Sequence, residues 1–175
     1  LEVSKRTVAA IQAAQQQGVT VTIATGRMFQ SAKPFAERLG VDVPLITYNG
    51  ALVKSCRSGE VWHEELLPME TTLSVLAYFR ERGWYIQTYV DDEFYVRDYS
   101  AEARTYEAVS GISPHVVGEA VFAPTKEPLK LLTLAEPEHL DAITPVLKER
   151  FGDTVCFKKK KNHMIEMVNP AVNKG

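Results

Sequence analysis

The sequence predicts an α/β protein in two parts: pieces of a parallel α/β sheet in residues 1–51, then an α+β domain with antiparallel hairpins in residues 52–168. Three observations carry this. A β-branched run, Val19–Ile23, stands between two helical patterns and stops abruptly at Thr25-Gly26-Arg27. That is helix–strand–loop–helix, half of a parallel unit. From Ala51 onward, hairpin signals alternate with two amphipathic helical patterns, as in a sheet with helices layered on it. The 175 residues are 45% hydrophobic and 24% charged, enough apolar material for one domain or two small ones.

The elements follow in order. Ser4 caps a helix to about Gln17 with Val8, Ile11 and Ala14 on one face, and Gly18 takes the left-handed position that ends it. Val19–Ala24 is a strand buried on both faces. Pro34 sits near the start of a helix over about Ser31–Leu39, where its missing N–H is tolerated, and Gly40 stops that helix. Pro44-Leu45-Ile46-Thr47-Tyr48-Asn49-Gly50 reads as a second short buried strand ending in Asn-Gly. Leu52–Cys56 and Glu60–Leu66 form a hairpin about Ser58-Gly59. A helix from about Glu70 to Arg82 carries Leu73, Leu76 and Phe79 and ends at Gly83. Trp84–Val90 and Phe94–Arg97 make a second hairpin across Asp91-Asp92, with Trp84, Tyr85 and Tyr89 read as core on one face. A short helix covers Glu102–Val109, a loop-rich stretch Ser110–Pro128, and a strand Leu129–Ala135. The helix Glu138–Phe151 turns Leu140, Ile143 and Leu147 inward. Strands at Thr154–Lys158 and His163–Val168 flank a basic turn, Lys158–Asn162.

Open α/β sheets bind ligands just past the carboxyl ends of their strands. Thr25, Gly26 and Arg27 stand at such a place: a hydroxyl, a residue without a side chain and a fixed positive charge, which together suit a phosphate. Taken alone, they also fit a plain strand end with a polar turn. Asn49-Gly50 is a strong turn signal, and the chain can turn there while still presenting Asn49 to a ligand. Asp91 and Asp92 read as hairpin-turn residues, with substrate specificity as the alternative; for Tyr89 beside Asp91, sugar contact is the alternative to a core position. Lys158-Lys159-Lys160-Lys161 reads as a solvated turn, with a rim attracting anions as the alternative. Glu166 alternates with apolar neighbours, so it faces the other side of its sheet from them; a hydrogen-bond partner at the junction of the two parts is one reading.

Net charge is −2, which gives no reason to expect nucleic acid or a membrane as partner. No apolar run approaches the roughly 18 residues of a spanning helix. The chain starts at Leu1 rather than at a Met. Cys56 and Cys156 lie far apart, and with His63, His115, His139 and His163 they show no metal-ligand spacing. A reduced, cytoplasmic protein is the expectation.

Ala24-Thr25-Gly26-Arg27, then Thr47-Tyr48-Asn49-Gly50-Ala51, then Ile165-Glu166-Met167-Val168-Asn169-Pro170 running into Val172-Asn173-Lys174-Gly175, resemble in their order the Cof-type sugar-phosphate phosphatases of the haloacid dehalogenase superfamily. The resemblance spans the chain. It implies a Rossmann-like core covered by an inserted cap, with residues 169–175 returning to the core. It implies hydrolysis of small phosphomonoesters through an aspartyl-phosphate, with Mg²⁺ as cofactor and a small phosphorylated substrate as partner. It places Thr25 as the phosphoryl-binding hydroxyl and Lys174 as the catalytic-site ammonium, with Gly26, Arg27, Asn49 and Gly50 on the substrate side. The nucleophile of such enzymes lies in Asp-x-Asp-Gly-Thr, which this sequence lacks, as it lacks the later acidic Mg²⁺ motif. The expectation is therefore an internal fragment of a phosphatase, inactive by itself. The alternatives are a non-catalytic phosphate-ligand binding domain, including a sensor without the aspartate, and an isolated cap module.

Overall fold

The computed structural model describes residues 3–160 and 162–173. They form two compact units: the residues up to Glu64 together with Asn173, and Glu65–Val172. The α/β class predicted from sequence holds. The boundary does not fall at 51/52, because the hairpin that follows pairs with the strand before it.

In the first unit, α1 (Lys5–Gln16) starts at Ser4, whose side chain accepts from the Thr7 N–H. Its end is fixed by the N–H groups of Gly18 and Val19, which reach back to Gln15 O and Ala14 O, with Gly18 at φ 82°. No residue of α1 is fully buried. The helix α2 (Phe29–Leu39) buries Phe29, Ser31, Ala32, Ala36 and Leu39, holds Pro34 in its second turn and ends at a left-handed Gly40. A three-stranded antiparallel sheet runs β1 (Leu45–Thr47), β2 (Leu52–Lys54), β3 (Val61–Glu64). Its edge strand β3 is exposed along its length, with Trp62 65% accessible.

The strand expected at Val19–Ala24 is not formed. Only Ala24 bridges Ile46, in the parallel sense, and Val19 is 53% exposed. A parallel strand buried on both faces needs a neighbour along each edge. Among the described residues this segment has one on the β1 side alone.

The second unit is a six-stranded sheet in the order β6-β5-β4-β7-β9-β8. Its strands are β4 (Gln87–Val90), β5 (Glu93–Val96), β6 (His115–Val116), β7 (Lys130–Leu134), β8 (Cys156–Lys160) and β9 (Met164–Val168). All pairs are antiparallel except β5–β6. Helices α3 (Met69–Arg82) and α5 (Pro137–Phe151) share one core with one face of the sheet: Leu76, Phe79, Leu140 and Leu147 meet Ile86, Leu131, Ile165 and Met167. Leu73 points outward at 41% exposure. Thr72 and Val75 turn inward instead, and the Thr72 hydroxyl donates to Leu67 O. The β4–β5 turn places Asp91 and Asp92 at φ 53° and 63°, the two left-handed residues a tight hairpin demands.

The opposite face is covered in part by α4 (Ala101–Ser110), whose Tyr106 ring lies 5.1 Å from Phe94 and 5.9 Å from Tyr89. Trp84, Tyr85 and Tyr89 therefore do not share a face. Strand alternation sends Trp84 to the α3/α5 core and Tyr89 to the α4 side. That side also holds a buried ion pair, Lys130 Nζ to Glu166 Oε1 at 2.8 Å. Glu166 is thus partnered by a neighbouring strand of its own sheet. The lysine run is strand, not turn: Lys158 donates to Val172 O, Lys159 pairs Asp141 and Lys160 lies 4.0 Å from Glu166; Lys161 lies outside the described residues. Asn169 Nδ2 donates to Glu65 Oε1 and Leu66 O, tying the start of the unit to its end.

Candidate functional site

The site is built from two loops, each following a segment of the first unit. The Thr25 N–H donates to Ile46 O at 2.8 Å and the Ile46 N–H to Ile23 O at 2.9 Å. Extended chain thus ends at Thr25 alongside β1. The loop turns at once, because the Arg27 N–H donates to Thr25 Oγ1 at 3.2 Å, a local hydroxyl–backbone turn. The chain leaving β1 then closes on it: the Tyr48 N–H donates to Arg27 O at 2.9 Å and the Asn49 N–H to Thr25 O at 3.0 Å. To do this Tyr48 and Asn49 adopt φ of 51° and 61°, both almost fully buried, and Gly50 follows at φ 108°. Asparagine tolerates that region; a tyrosine there is strained, and such strain gathers at functional loops.

The donors of the turn divide into engaged and unengaged. Thr25 N–H and Arg27 N–H are both used. Among the described residues, the Gly26 N–H and the Thr25 hydroxyl proton have no acceptor. Neighbouring N–H and O–H donors of this kind suit an oxyanion. Arg27 brings positive charge. Its Nη1 donates to Ser31 Oγ at 2.7 Å and its guanidinium lies 5.4 Å from the Phe35 ring centroid. A cavity of about 170 Å³ is lined by Ile23, Thr25, Arg27, Ala32 and Phe35, several times the roughly 30 Å³ share of a water molecule. The helix α2 begins just after the turn without an acidic residue in its first turn, so the partial positive charge of its N-terminus is left uncancelled there.

The structure brings together five of the six residues singled out by sequence: Thr25, Gly26, Arg27, Asn49 and Gly50. Lys174 lies outside the described residues. Sequence reasoning missed Tyr48 and Ser31. Ser31 was accessible, four positions from Arg27 at the start of a helix; nothing in the sequence marks Tyr48 as left-handed. No group of three His, Cys, Asp or Glu side chains suited to a metal ion occurs among the described residues. There is thus no such cluster among the described residues to hold the Mg²⁺ that the resemblance implies. No helix among them is long and apolar enough to cross a membrane.

A family model described as haloacid dehalogenase-like hydrolase matches residues 1–175. A candidate phosphatase of Streptococcus pyogenes serotype M6 is 27% identical over 170 residues, covering 95% of this chain and 63% of its own length. A crystal structure of TM0651 from Thermotoga maritima superposes with a TM-score of 0.85 at 28% identity, covering 99% of this chain and 65% of that one. The sugar phosphatase BT4131, of subclass IIB of the same superfamily, shares the fold with a TM-score of 0.74 at 18% identity, covering 99% and 65%. The chain thus spans less than two thirds of the length of these relatives.

Proposed function

The chain belongs to the haloacid dehalogenase-like hydrolases, and from that premise we propose that the whole protein hydrolyses small phosphomonoesters, sugar phosphates among them. One observation carries the reading. Among the described residues, the Thr25 hydroxyl and Gly26 N–H are unengaged donors at the carboxyl end of an extended segment, and Thr25 and Arg27 line one cavity. The charge of a transferring phosphoryl group is met best by donors and cations already in place. The sugar-phosphate class is supported by the name of the BT4131 relative.

In this reading Thr25 and Gly26 hold phosphoryl oxygens, and Arg27 supplies charge at the rim while braced by Ser31. Lys174 is the ammonium that neutralises the phosphoryl group and keeps the nucleophilic carboxylate ionised, an opposite charge lowering its pKa. The phosphoryl group passes from the ester oxygen to an aspartate supplied outside these 175 residues. A second acid protonates the leaving alcohol, and water then releases phosphate. The residues before Glu65, with the return at Asn173, act as core, and Glu65–Val172 acts as cap.

Phosphate release from a panel of hexose and pentose phosphates tests the proposal. The full-length protein is expected to turn over members of the panel, and the 175-residue chain alone none. A full-length protein that binds these esters and releases no phosphate contradicts it, and makes the chain part of a phosphate-ligand binding protein.

A further inference from the structure

We propose that Asn49 is a positioning residue: its carboxamide packs on Gly26 and fixes the turn that carries the Thr25 and Gly26 donors, without touching substrate. The inference rests on the phosphatase reading above. Asn49 is 1% exposed and its N–H is spent on Thr25 O. A Cβ placed on Gly26 would lie 2.7 Å from Asn49 Oδ1 and 3.3 Å from its Cγ and Nδ2. The first distance is shorter than real Cβ contacts allow. Gly26 is not among the glycines of this chain with positive φ. It is therefore glycine for want of space, and the space is taken by the Asn49 carboxamide. Any side chain at 26 must displace Asn49 or move the backbone of the turn, and the unengaged donors lie on that backbone and on the residue before it. A carboxamide serving as substrate ligand would face the opening. This one is buried against a backbone that has no Cβ, where its bulk sets the position of Gly26. Asparagine suits the post twice, since it also accepts the left-handed φ of 61°.

The test is a two-residue cycle in the full-length protein, read by thermal melting and by turnover of p-nitrophenyl phosphate. Asn49→Gly keeps the left-handed backbone and its hydrogen bond while deleting the carboxamide. Expected is a melting temperature close to the parent's, a kcat lower by about 10- to 100-fold from misplacement of the donors, and a KM within about twofold. Gly26→Ala alone is expected to lower both melting temperature and kcat. In the Asn49→Gly background the added methyl has room, so Gly26→Ala should cost little further melting temperature. An Asn49→Gly variant with unchanged kcat and a KM raised about tenfold would make Asn49 a substrate ligand and overturn the proposal. So would a Gly26→Ala cost that is the same in both backgrounds. An unmodified protein without turnover refutes the phosphatase reading and the donors' role with it, while the melting cycle still decides whether the two residues are in contact.

Discussion

In the Glu65–Val172 unit a six-stranded sheet has α3 and α5 on one face and α4 over part of the other, and Leu76, Phe79, Leu131 and Leu147 are fully buried. In the first unit a three-stranded sheet ends at the exposed β3, α1 buries no residue, and Val19 lies open. Yet the candidate site, with a strained left-handed Tyr48 beside a left-handed Asn49, is in the first unit. Its loops are joined by hydrogen bonds from the buried Tyr48 and Asn49 to the half-buried Thr25–Arg27 turn. Substitutions in the second unit should therefore show in stability, and those at the Thr25 turn should show in ligand chemistry.

The sharpest way to break this contrast is Lys130→Met. It removes the closest cation from the buried Glu166 carboxylate, leaving Lys160 4.0 Å away, and should cost about 3–5 kcal/mol, read from urea denaturation. Lys130→Met with Glu166→Leu should recover most of that loss. A loss below about 1 kcal/mol in the single variant would mean that the pair is hydrated and the face open. The pair also sets a pH dependence. Burial pushes the Lys130 ammonium down, but the charge and hydrogen bond of Glu166, with Tyr106, carry it above its ordinary value of 10.5. A raised folded pKa gives stability that is complete below the unfolded value and lost as pH rises through the folded one. The contribution of this pair should stay constant from about pH 6 to 9 and fall only above about 10.5.

Next in size is Leu147→Ala in the α3/α5 core, expected to cost about 2–5 kcal/mol. Ile11→Ala in the half-buried stripe of α1 should cost under about 1.5 kcal/mol, since it removes only part of a side chain's burial. Equal losses at the two positions would show that α1 is packed as firmly as α5. Smallest is Ser4→Ala, expected to cost about 1 kcal/mol through the lost cap to Thr7.

The sequence made the second unit legible because its signals are local. Gly83 after a periodic helix, and Asp91-Asp92 between aromatic strands, each specify geometry within a few residues. Lys130–Glu166 was not legible, since a lysine between apolar residues announces no partner 36 positions away. The Val19–Ala24 strand failed for a related reason. Composition reports that a segment could be a strand, whereas pairing depends on a neighbour along each edge. At the site, residue types and order marked Thr25, Gly26 and Asn49. That Gly26 serves close approach rather than φ depends on Asn49, 23 positions away in sequence (49 − 26), and no local pattern announces that contact.

Thr25→Val in the full-length protein tests most directly whether the Thr25 hydroxyl holds a phosphoryl oxygen. The change removes one donor, and the Oγ1 that accepts from the Arg27 N–H, at little cost in volume. Steady-state turnover of p-nitrophenyl phosphate should lose about 100-fold or more in kcat/KM, while the melting temperature stays within a few degrees. The Lys174→Ala variant in the same assay should lose more. If Thr25→Val keeps kcat/KM within about twofold of the parent with its fold intact, the hydroxyl holds no phosphoryl oxygen and the proposed site is contradicted.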